Sequence, residues 1–142
     1  MKSRDVLVRL HKFKADEVQR RLKSLREMRA DLERKTHDLE IMVQDEQRRA
    51  AGSDLGRLAY PTFARSVQAR RENIQRSIDE VERQMAAVQE ELEAAYSELK
   101  KFETEAENAA ARERASDARR AQAAADETAI LGHMRKTEDA LR

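Results

Sequence analysis

The chain contains no cysteine and no tryptophan, one proline, three glycines, two tyrosines and three phenylalanines in 142 residues. Without cysteine there can be no disulfide and no thiolate chemistry, which fits a reducing compartment. With so few large aromatic side chains, a thick globular core cannot be filled. Long hydrophobic runs are also missing. Nothing approaches the ~18 consecutive apolar residues of a membrane span. The opening Met1-Lys2-Ser3-Arg4-Asp5-Val6-Leu7-Val8-Arg9 is too charged for a signal peptide, so a soluble, intracellular protein without direct membrane insertion is expected. An excess of one charge is absent too. Lys and Arg number 29 against 28 Asp and Glu, interleaved along the chain, which argues against a nucleic-acid partner.

Catalytic constellations are equally scarce. His11, His37 and His133 are far apart and form no metal-binding pair, and no phosphate loop or nucleophile elbow can be found. Acidic residues abound, but on a solvated helix they have no cleft to shift their pKa. The expectation is a protein with no enzyme activity, no catalytic or metal site and no cofactor.

What is present is a heptad repeat. From Tyr60 one row reads Tyr60, Val67, Ile74, Val81, Val88, Ala95, Phe102 and Ala109. A second row reads Ala64, Arg71, Ile78, Met85, Leu92, Leu99 and Ala106, and only Arg71 departs from the apolar rule. A helix with apolar residues every 3.5 positions on average must bury a narrow stripe against another helix. An earlier repeat, Val18, Leu25, Leu32 and Leu39, is backed by Leu22, Met28, Met42 and Val43 and weakened by Arg29 and Thr36.

Gly52, Gly56 and Pro61 fall between the two repeats and predict a hinge. The expected fold is all-α: an elongated antiparallel two-helix coiled-coil hairpin with unequal arms, forming a single domain over 1–142. Helix one is placed at about 3–50, opened by Ser3 as a cap; the hinge at 51–61; and helix two at about 62–140. At 1.5 Å per residue the arms would measure roughly 70 Å and up to roughly 120 Å. The remainder of helix two, from about residue 110, should then be an unpaired tail. It is alanine-rich: eleven alanines occur from Glu103 to Ala129 inclusive, with no large apolar residue between Phe102 and Ile130.

Two regions stand out as candidate contacts. Leu55, Leu58, Tyr60, Phe63 and Val67 gather beside the hinge, either as a plug that closes the coiled coil or as a binding tip. Leu7, Leu10 and Phe13 lie among Arg4, Arg9, Lys12 and Lys14 in the first helix. They could pack on Ala106 and its neighbours or bind an acidic ring or membrane surface. A last apolar cluster, Ile130, Leu131, Met134 and Leu141, follows in the tail, either as a terminal turn that docks weakly or as a partner-binding end.

The run Val6-Leu7-Val8-Arg9-Leu10-His11-Lys12-Phe13-Lys14-Ala15-Asp16-Glu17 resembles the start of the flagellar FliJ family in its alphaproteobacterial form. The segment Leu58-Ala59-Tyr60-Pro61-Thr62-Phe63-Ala64-Arg65 is the more distinctive match, and length, hairpin layout and alanine-rich tail also agree. The resemblance implies a central stalk of the flagellar type III export apparatus that also handles export chaperones. It implies that a hexameric export ATPase is stimulated by the end bearing Arg4, Leu7, Arg9, Leu10 and Phe13, with Ile130, Leu131 and Met134 of the tail. It further implies that the tip bearing Leu55, Leu58, Tyr60, Phe63 and Val67 contacts the export gate in the membrane. Such a protein would be a cytoplasmic monomer, held at the inner membrane through the apparatus. A generic coiled-coil scaffold or adaptor is the alternative reading of the same heptads.

Overall fold

The computed structural model describes residues 3–142; Met1 and Lys2, which begin the charged opening, lie outside the described residues. Two helices account for nearly all of them, α1 over Ser3–Gly52 and α2 over Asp54–Leu141, and no strand is present among the described residues. The chain divides into two units, one over Lys12–Ser97 and the other joining the residues up to His11 with Glu98–Arg142.

In the Lys12–Ser97 unit the two helices pack antiparallel. Arg21 bonds Glu91 at 2.5 Å, the Tyr96 hydroxyl donates to Gln19, and Gln47 donates to the Tyr60 hydroxyl, so early residues of α1 meet late ones of α2. The seam follows the heptads. Val67, Ile78, Val81 and Leu92 are buried, and Tyr60, Ala64, Ile74, Met85, Val88 and Ala95 are half-buried. Of the two α2 rows in this unit only Arg71 is exposed, while Met28 and Met42, expected to back the α1 repeat, also face solvent. α1 answers with Val18, Leu22 and Leu39 buried and Leu25, Leu32 and Val43 half-buried. Val18, Leu22 and Leu92 form the tightest cluster, with Met85 and Val88 against it. Arg29 and Thr36 do face inward, half-buried, and the Thr36 hydroxyl is satisfied by the Leu32 carbonyl at 3.2 Å.

The turn differs from the sequence expectation. The hinge expected over 51–61, with helix two starting near 62, is a single residue, Ser53. Ser53 is an N-cap: its hydroxyl accepts the Gly56 amide at 2.9 Å, and its carbonyl accepts the Arg57 amide at 3.2 Å. Asp54 in the first turn suits the helix dipole. Pro61 is therefore inside α2, where its missing amide leaves the Arg57 carbonyl without a helical donor, in a turn whose Arg57 and Pro61 face water. None of the glycines has a positive φ. Gly56 serves a close approach instead, because a Cβ there would lie 3.0 Å from the Arg49 carbonyl oxygen and 3.1 Å from the Ala50 Cα.

In the other unit the start of α1 meets α2 in the same antiparallel sense. Arg4 pairs with Glu113 at 2.7 Å, and the His11 ring stacks on Phe102 with centroids 4.2 Å apart. Ala109 is buried, and Leu99, Phe102 and Ala106 are half-buried. From residue 117 to the end α2 continues with every residue exposed. No helix of the described residues is long and apolar enough to cross a membrane.

Candidate partner-binding surfaces

Around the turn the five expected residues separate into three groups. Val67 belongs to the seam, at 3% exposure, and is not available to a partner. Tyr60 and Phe63 are half-buried, their rings tilted with centroids 6.3 Å apart, and the Tyr60 hydroxyl is held by Gln47 at 3.1 Å. Leu55 and Leu58 lie fully in solvent at 78% and 79% exposure. They are three residues apart in the first turns of α2, so they share one face. Ser53 produces that arrangement: by starting α2 at once, it leaves both leucines on a rigid helix rather than in a loop.

At the start of α1 the seam uses Arg4, Val8 and His11, which are half-buried. Leu7, Arg9, Leu10 and Phe13 are exposed. Of the basic residues expected there as contacts, Arg4 is already engaged by Glu113. Val6 is an exposed residue the sequence reading did not single out, and it aligns with Leu10 on the outer face of the same turns. The spacing carries the signal: stepping back by sevens from Val18 and Leu22 gives His11 and Arg4, then Ala15 and Val8, which assigns Val6, Leu10 and Phe13 to another face.

In the tail Ile130, Leu131, Met134 and Leu141 are all exposed. Alanine supports this helix without burial, since it loses little side-chain entropy on forming one. The electrostatics are those of a solvated surface. Ion pairs such as Arg83–Glu80 and Arg49–Glu46 lie within single helix turns. Hydrogen bonds from Arg83, then from Gln84, hold the Glu80 carboxyl below its usual range, on an exposed side chain. Among the described residues no cluster of His, Cys, Asp or Glu could hold a metal ion. No side-chain polar atom among them is buried without a partner.

An antiparallel helix pair with a one-residue turn and a heptad seam defines a coiled-coil hairpin protein. The family model described as flagellar FliJ protein matches residues 1–138. The chain belongs to the flagellar FliJ family, whose members are components of the flagellar type III export apparatus. Neither a curated protein nor a solved structure matches it.

Proposed function

We propose that the chain is a stalk and chaperone-handling component of the export apparatus, with a structural rather than a catalytic role. The exposed Leu55/Leu58 pair carries this reading. Two leucines held in solvent on a capped helix are costly to leave uncovered, by about 25 cal/mol per Å² of apolar area, and they gain that back on docking. Membership of the flagellar FliJ family, whose members belong to the export apparatus, supports a docking partner within that apparatus.

On this reading Leu55 and Leu58, framed by Tyr60 and Phe63, face the export gate. Leu7, Arg9, Leu10 and Phe13 face the hexameric export ATPase, together with Ile130, Leu131 and Met134 of the tail. The working form is a single copy in the cytoplasm, held peripherally at the inner membrane by these contacts.

The test is a binding and turnover assay with purified partners. The chain is expected to retain the export ATPase and raise its hydrolysis rate, and to lose both effects when Leu10 and Phe13 become Asp. Export ATPase that neither binds nor responds to the chain would refute the ATPase assignment and favour a generic scaffold.

A further inference from the structure

The rows of α2 that meet α1 are broken by polar residues where α1 stops and resume further along the tail. Within Glu98–Arg142 the seam opposite the first residues of α1 is built by Leu99, Phe102, Ala106 and Ala109. Counting on by sevens, the first row continues through Ala123, Ile130 and Thr137, and the second through Met134 and Leu141. Glu113, Ser116, Arg120 and Glu127 interrupt them. The tail therefore carries an existing interface onward in phase, as a face with no cover: Ile130 and Met134 are each 60% exposed and Leu141 is 84% exposed.

That face is complementary to itself. In an antiparallel coiled coil a residue of one row packs against a residue of the other row of its partner. A two-fold axis beside Gly132 sets Ile130 against Met134 of the partner subunit, and Ala123 against Leu141 of the partner subunit. The axis repeats both contacts, as an isologous interface requires. Leu131 flanks the axis and meets its own copy. At the edges Asp126 falls beside Ala140 of the partner subunit and Ala124 beside Glu138 of the partner subunit, so no carboxylates oppose one another. The same count by sevens puts Gly132 on the side of the helix away from these two rows.

We propose that a second copy of this chain covers the tail, the two segments over 123–141 pairing antiparallel about Gly132. The contact is short and contains Thr137 and Glu127 layers, so the dimer is weak and concentration-dependent. It forms where no other partner occupies the tail. The proposal stands on the register of this chain and not on the export reading, which the ATPase assay tests separately.

Sedimentation equilibrium of the full chain should show a reversible monomer–dimer equilibrium with a Kd between about 10 µM and 1 mM. Ile130→Asp with Met134→Asp should abolish the dimer and leave the melting temperature of the hairpin unchanged. The absence of cysteine allows a directional test. With oxidised glutathione as the oxidant, His133→Cys should form a covalent dimer, because position 133 meets its own copy across the axis. Met134→Cys should not, since its counterpart is Ile130.

A chain that stays monomeric to about 1 mM overturns the proposal. So does a dimer lost on changing Leu55 and Leu58 rather than the tail. Crosslinking of Met134→Cys in preference to His133→Cys would establish parallel pairing and overturn the antiparallel one. A tail that gains hydrogen-exchange protection only when export ATPase is added would give the face to that partner instead.

Discussion

Ser53 and Gly56 together make the reversal of the chain, one by capping and the other by being small. Their contributions can be separated by substitution. Gly56→Ala places a methyl 2.9 Å from the capping Ser53 hydroxyl and against backbone of α1, at Arg49 and Ala50, which cannot swing away as a side-chain tip would. It should destabilise by at least about 1 kcal/mol in urea melts. Gly52→Ala meets nothing within 4 Å and should be neutral or stabilising by up to about 1 kcal/mol through helix propensity. Equal effects at the two positions would contradict the close-approach account of Gly56. Replacing Ser53 by Ala should cost about 1 kcal/mol in the same assay, because the Gly56 amide loses its acceptor.

At the scale of the helices, stability resides in the seam. Leu92 is buried at 7% exposure against Val18 and Leu22, while Glu90 is exposed on the opposite side of α2. Leu92→Ala should cost about 2–3 kcal/mol, the low end for a buried leucine because a two-helix seam closes incompletely. Glu90→Ala should stay within about 0.5 kcal/mol. Coincident melting curves would refute this register. Both rows of α2 were legible in the sequence because Val, Ile and Leu at fixed spacing leave a helix little choice of face.

The turn was less legible. Glycine and proline dominate a reading by propensity, yet the boundary was set by the local hydrogen bonds of one serine, and Pro61 was absorbed into a turn open to water. The start of α1 was obscured for a related reason. Leu7, Leu10 and Phe13 are more apolar than Val8 and His11, but the phase fixed by Val18 to Leu39 governs which of them faces α2. Only the heptad count, not hydrophobicity, separates the two faces there.

For the whole molecule, the paired segments account for folding, and the proposed function assigns the contacts to the uncovered ones. Cross-helix pairing in the second unit reaches Glu113, and every residue from 117 onward is exposed. A stop codon after Ser116 should therefore leave the melting temperature unchanged while ATPase stimulation falls, measured on the same preparation. A lowered melting temperature would mean that the tail folds back on the hairpin.

The central claim, that the leucines beside the turn serve contact rather than folding, is tested most directly by swimming. A strain lacking this protein would be complemented with Leu55→Ser/Leu58→Ser and its halo in soft agar compared with the unaltered chain. Both leucines lie outside the seam, so the variant should accumulate and melt like the parent and still fail to restore motility. A folded, normally abundant variant that swims like the parent would contradict the account.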